Sequence, residues 1–172
     1  MVPILETARL RLRAFRKDDL AAWAPVMADP EVARYLGGTP FSREETWRRV
    51  LSSTGAWPIL GFGYWAVERK AEGDLIGQAG FADFSRDMQP AIEGLPEMGW
   101  IFAPHAHGQG YATEAVQAAL AWADAYLKAP VIPAIIDHGN IPSIRLAERC
   151  GFTGREEATY RGAPILLLRR LR

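Results

Sequence analysis

The run His105-Ala106-His107-Gly108-Gln109-Gly110-Tyr111-Ala112-Thr113-Glu114 holds the densest set of residues with chemical potential. Gly108 and Gly110 allow backbone angles and close approaches that side chains block, and small Ala112 extends the open surface. Where a helix opens, its first N–H groups lack partners and carry the positive end of the dipole. Such a turn suits a pyrophosphate gripped by amides rather than by a lysine. A Walker A loop ends in Gly-Lys-Ser/Thr, and neither that lysine nor that spacing is present. A dinucleotide fingerprint wants Gly or Ala where Thr113 stands. A glycine-rich connection that binds nothing is the third reading of the turn alone. His105-x-His107 near Asp137-His138 suggests a metal, yet no further ligand has suitable spacing, so no metal is expected. Cys150, beside Gly151-Phe152, reads as a small buried thiol rather than a nucleophile.

These residues need elements to position them. Arg9–Phe15 alternates charged and apolar residues with the period of a half-buried strand. Lys17–Ala28 is predicted as a helix closed by Asp29-Pro30. Ser42 with Glu45 is a capping-box spacing that opens a helix to about Thr54. Gly63–Glu68 and Leu75–Asp83 pair as a hairpin through Ala71-Glu72-Gly73-Asp74, and after a polar Ser85–Pro96 segment comes a fourth strand, Glu97–Phe102. Gly99 inside that strand signals a bulge. Tyr111–Leu127 is an amphipathic helix and Val131–Asp137 a buried fifth strand. Asn140 caps a helix, Ile141–Arg149. Pro142 offers no N–H, so the Asn140 oxygen takes the Ser143 amide, and Gly151 ends the helix. Thr153–Tyr160 and Ala163–Arg170 close the chain as a hairpin around Arg161-Gly162. The fold class is therefore α/β (α+β): a mixed, mostly antiparallel seven-stranded sheet, about four helices, and one parallel crossover from Glu97 to Asp137.

The chain has 172 residues, which predicts one domain over residues 1–172. Hydrophobic residues are 49% and charged residues 23%, so disordered and fibrous classes are excluded. Twenty basic against twenty acidic residues leave no basic excess to track a nucleic-acid backbone. One cysteine excludes an internal disulfide framework. No apolar run approaches the ~20 residues of a membrane span, and the first residues lack a signal-peptide core, so a cytoplasmic location is expected. Arg169, Arg170 and Arg172 form a basic tail, solvated or paired with an acidic partner.

The whole order of elements resembles the GNAT superfamily of acyl-CoA-dependent N-acetyltransferases. The family's phosphate loop, Arg/Gln-x-x-Gly-x-Gly/Ala, is matched by His107-Gly108-Gln109-Gly110-Tyr111-Ala112 except at its first position, where His107 replaces Arg or Gln. Gly108–Ala115, the opening Leu5–Arg13, and Asn140-x-x-Ser143 followed by Ala147–Phe152 are similar to the RimJ/RimL branch, which modifies N-terminal amino groups of ribosomal proteins. Pro104 stands where the family has a proline after its fourth strand.

The resemblance implies a splay between the fourth and fifth strands, with a pantetheine arm bonded to main-chain groups of Trp100, Ile101 and Phe102. A fourth-strand amide would polarise the thioester carbonyl and stabilise its oxyanion. His107, Gly108, Gln109, Gly110, Tyr111, Ala112 and Thr113 would cradle the pyrophosphate, and Asn140 and Ser143 would contact the cofactor from the other side. Glu97 is the implied base and Ser143 the implied proton donor, since the family's frequent tyrosine is Ala147 here. At pH 7 an α-amine is roughly 10–20% neutral against about one lysine in 2,500, a difference of ~3 kcal/mol that favours a protein N-terminus as acceptor. Trp23, Trp47 and Trp57 lie where the family places its acceptor site, and one or two of them, with Tyr35 and Ser85–Pro96, would line it. The alternatives are a small-amine acetyltransferase acting on an amino acid, polyamine or antibiotic, a non-catalytic acyl-CoA sensor, or a nucleotide-binding module. A monomer or homodimer would serve each.

Overall fold

A computed structural model describes residues 1–172. Two antiparallel sheets make the frame. The first has the order β1-β2-β3-β4-β6, formed by β1 (Leu5–Glu6), β2 (Leu10–Arg13), β3 (Tyr64–Arg69), β4 (Leu75–Ala82) and β6 (Glu97–Phe102). The second has the order β5-β8-β9-β7, formed by β5 (Met88–Gln89), β8 (Thr153–Tyr160), β9 (Ala163–Leu171) and β7 (Val131–Ile136). The seven predicted strands are all present, joined by the two-residue strands β1 and β5, which are too short to show a period.

The crossover from β6 to β7 runs through α4 (Tyr111–Tyr126), but no ladder joins the two strands. Register explains the gap. The Arg172 N–H donates to the Pro130 carbonyl, so Ile132, Ala134 and Ile136 are the residues of β7 whose main chain faces β9. Pro133 then turns its missing N–H toward β6, where a ladder would need a donor.

Helices depart from the sequence reading at two prolines. Asp29-Pro30 does not simply close α1 (Asp19–Met27). Asp29 accepts the Glu31 N–H at 2.8 Å and opens a short second helix, α2 (Pro30–Ala33), because proline suits a first helical position. Ser42 and Glu45 form the expected capping box for α3 (Arg43–Leu60), which runs past Thr54 and through Pro58. Trp57 holds that last turn in place by packing into the core and donating its indole N–H to the Tyr64 carbonyl at 3.2 Å. Gly61, at φ 80°, ends the helix.

The last hairpin turns at Arg161 and Gly162, both with positive φ, as a two-residue turn of matching twist requires. The predicted bulge at Gly99 is absent: β6 pairs with β4 without interruption, and the register shifts lie elsewhere, between Val67 and Glu68 and between Thr153 and Glu156. Gly99 is small for another reason. A Cβ there would collide with the Tyr64 hydroxyl.

The main core lies between the first sheet and α4, which buries Ala115, Val116, Ala119, Leu120 and Ala123. Trp57, Trp65 and Trp122 meet there edge to face. On the opposite face of that sheet, α1 and α3 pack over Trp23, Val50, Tyr64 and Ala66.

Candidate active site

A single 3₁₀ turn, Pro104–Ala106, links β6 to the glycine loop. Gly108 and Gly110 both adopt positive φ, 72° and 79°, which favours glycine over any L side chain. The six consecutive main-chain N–H groups from Gly108 to Thr113 donate to nothing within the chain, while the Gly110 carbonyl already accepts from Glu114. The loop is therefore an open row of donors at the start of α4, suited to a diphosphate.

That row is braced from behind. Glu114 accepts from the Thr7 hydroxyl at 2.6 Å, the Arg9 N–H at 2.9 Å and Arg9 Nε at 2.7 Å. Arg9 also donates to the Gln109 carbonyl at 2.9 Å and lies 4.4 Å from the centre of the Tyr111 ring. Burial opposes ionisation of Glu114, but these hydrogen bonds hold its carboxyl below the usual range. Arg9 and Thr7 are functional supports that the sequence reading placed only in a family pattern. The pairing of an opening β segment with a residue 105 positions away has no local signal.

His107, the departure from the family pattern, places its Nε2 3.0 Å from the Phe102 carbonyl. It ties the end of β6 to the loop. Gln109 donates its side-chain amide to the His105 carbonyl at 2.7 Å. His105 lies 3.9 Å from Asp74 and His138 lies 3.2 Å from Glu157, so the three histidines serve three separate places.

The free edge of β6 supplies a second row of groups. The Ala103 N–H donates to the Ile76 carbonyl at 2.9 Å, which fixes the alternation. Glu97, Gly99 and Ile101 bond to β4, and Met98, Trp100 and Phe102 direct their main chain to the splay. Trp100 thus meets the expectation of a free main chain, and Phe102 meets it at its N–H alone, since His107 engages its carbonyl. Ile101 does not, because its N–H and C=O belong to the ladder with Gln78.

Across the splay, Asn140 accepts the Ser143 N–H at 3.2 Å, as Pro142 requires, and opens α5 (Ile141–Arg149). The Trp100 indole donates to Ser143 Oγ at 3.2 Å. That bond spans the gap between β6 and α5 and leaves the serine's own hydrogen free to donate. Tyr35 closes one end by donating its hydroxyl to the Gly139 carbonyl at 3.1 Å.

Glu97 is 4% exposed and grips Arg86 with both oxygens, at 2.5 and 2.8 Å. Burial pushes its carboxyl up, Arg86 pulls it down, and burial prevails. Arg86 comes from the Ser85–Pro96 segment and is stacked between Phe84 and Tyr160, at 4.6 and 4.8 Å. Trp23 and Trp57 are core residues, 1% and 7% exposed, and Trp47 of α3 packs partly buried against the cluster that holds Trp23 and Tyr64. Cys150 is buried, which raises its thiol. The tail is paired within the chain: Arg170 holds both oxygens of Asp124, and Arg172 donates to the Asp124 carbonyl.

This combination of a splayed sheet and a donor-lined turn defines a class. Residues 9–153 match the model of the acetyltransferase (GNAT) domain, and the chain belongs to that family of acetyl-CoA-dependent N-acetyltransferases. It is 32% identical over 148 residues to the uncharacterized protein YkkB of Bacillus subtilis (strain 168), spanning 86% of this chain and 83% of that protein. The uncharacterized N-acetyltransferase p20 of Bacillus licheniformis is 28% identical over 149 residues, covering 86% and 81%. Among solved structures, an acetyltransferase from Agrobacterium tumefaciens str. C58 superposes with a TM-score of 0.85 at 29% identity, over 100% of this chain and 96% of that one. Two more distant structures share the fold. The ribosomal L7/L12 alpha-N-protein acetyltransferase RimL has a TM-score of 0.79 at 18% identity, covering 100% of this chain and 96% of that one. The spermidine N-acetyltransferase of Vibrio cholerae, solved with CoA and spermine, has 0.73 at 20%, covering 96% of each.

Proposed function

We propose that the protein transfers the acetyl group of acetyl-CoA directly to a primary α-amine in a ternary complex, with a peptide or protein N-terminus as acceptor. The observation that carries this reading is the unbroken row of free amides from Gly108 to Thr113, set beside a strand edge with no partner. The row fits a diphosphate, and the free main chain of Trp100 with the Phe102 N–H fits the amides of a pantetheine arm. Asn140 retains its side-chain NH₂ as a donor from the α5 side.

Acetyl-CoA supplies an activated acyl carbon and a thiolate leaving group. The main-chain N–H of β6 stabilises the carbonyl oxygen as charge develops there. Glu97, ionised and desolvated, takes the proton that the amine loses as the C–N bond forms, using the lone pairs that Arg86 leaves free. Ser143, oriented by Trp100, donates to the sulfur as the C–S bond breaks and relays a solvent proton to it.

Peptides with a free N-terminus and no lysine, compared with N-acetylated lysine peptides, test the reading through release of free thiol. Release confined to lysine side chains contradicts the α-amine acceptor. A second reading, a non-catalytic acyl-CoA sensor, is favoured by one observation, the engagement of both Glu97 oxygens by Arg86. It expects CoA binding with no thiol release from any amine.

A further inference from the structure

The face of β6 that carries Glu97, Gly99 and Ile101 turns toward α1 and α3, where Ile101 packs with Tyr64 and Val50. Tyr64 is 9% exposed, and its phenol crosses β6 at Gly99, where any larger residue would expel it. The hydroxyl has no partner within the chain. No fully buried side-chain oxygen is left unpaired anywhere, so this one keeps some access to solvent. Gly99 lies between Met98 and Trp100, whose main chain faces the splay, and the hydroxyl thus stands beside the candidate reaction edge.

Arg49 of α3 approaches the same place. Its guanidinium lies 4.1 Å from the centre of the Phe41 ring, and Phe41 packs against the cluster that holds Tyr64 and Ile101. It forms no ion pair and donates no hydrogen bond within the chain. Burial lowers its proton affinity, and Tyr64, Glu45, Arg86 and Tyr160 act on its charge. The nearby carboxylates are committed elsewhere. Glu45 accepts the Ser42 N–H at 2.7 Å, Asp83 accepts the N–H groups of Ser85 and Gly94, and Glu97 holds Arg86. A free guanidinium on an aromatic face and an unpartnered phenol, bordering one cluster, make a carboxylate-binding arrangement. A polycation would meet the positive charges of Arg49 and Arg86 there.

We propose that the acceptor is a primary α-amine carrying a carboxylate a few bonds away, and that Arg49 and the Tyr64 hydroxyl bind this carboxylate. The inference rests on the acetyl-transfer reading and narrows its acceptor. A free amino acid and a peptide with an acidic first residue share the chemistry.

The experiment measures thiol release from acetyl-CoA with four acceptors: glutamate, glutamate diamide, a C-terminally amidated peptide beginning with Glu, and spermidine. Preference for either carboxylate acceptor over the diamide, by about tenfold or more in kcat/KM, is expected. The better of the two identifies the source. In Arg49→Gln and in Tyr64→Phe the ratio of carboxylate to amide acceptor should collapse toward one, through KM rather than kcat, while CoA still binds. Equal use of the diamide, a preference for spermidine, or an unchanged ratio in both variants overturns the inference and leaves acetyl transfer standing. Thiol release from no amine, with CoA bound, overturns acetyl transfer itself and this inference with it.

Discussion

In the proposed transfer, Glu97 and Arg86 set the proton chemistry of the site between them. Because burial lifts Glu97 and Arg86 opposes the lift, Arg86→Gln should raise its proton affinity further. Glu97 acts as a base only when ionised, so the acid limb of the kcat profile should move to higher pH in that variant. Activity at pH 6 should fall more than activity at pH 8, and equal loss at both would remove Glu97 as the base. Glu97→Gln should lower kcat by about a hundredfold while CoA titrations remain near those of the parent. At this scale the sequence was partly legible. Pro142 dictated which amide Asn140 would cap, and the bond is there. The Arg86 clamp was hidden, since it comes from an irregular segment with no period to place it. The hydrogen bond from Trp100 to Ser143 joins residues 43 positions apart and had no local signal either.

At the scale of elements, the start of α4 is positioned by a strand connection. Glu114 has a lowered pKa in the fold, so its clamp on Thr7 and Arg9 is fully present above the ordinary carboxylate range and is lost as pH falls through the folded value. Thermal melts of Glu114→Gln should lie below the parent at neutral pH and converge with it in acid. A gap that persists unchanged in acid would contradict the clamp. Gly110→Ala strains the left-handed residue by about 1 kcal/mol and shifts the donor row, so KM for acetyl-CoA should rise about tenfold with a smaller change in kcat. The hairpins, the capping box and the long crossover helix were readable from period and turn residues. The splay came from resemblance, although Pro133 in the middle of the fifth strand carried its physical cause. Gly99 gives a bulge signal without a bulge because glycine in a strand has two meanings, and only the position of Tyr64 distinguishes them.

Across the whole molecule, the first sheet is locked to α1 by a buried charge cluster. Arg13 donates to Asp19 through both terminal nitrogens at 2.8 Å and to Glu68 at 2.8 Å, and each of the three residues is under 9% exposed. Arg13→Met leaves Asp19 with only the Arg16 N–H and Glu68 with only the more distant Arg11, and should cost about 3–5 kcal/mol, lowering Tm by roughly ten degrees. A change within a degree would show that the cluster is solvated. Sequence alternation placed Arg13 on a half-buried strand but could not foresee this pairing, because Glu68 belongs to a strand 55 residues away.

The most direct measurement is residue-resolved amide hydrogen exchange by NMR, with and without CoA. Slowed exchange at the amides of Gly108–Thr113 together with Trp100 and Phe102 is the expected result. Protection confined to other parts of the chain, or none at saturating CoA, would contradict a diphosphate tether held by unpartnered backbone beside an open strand edge.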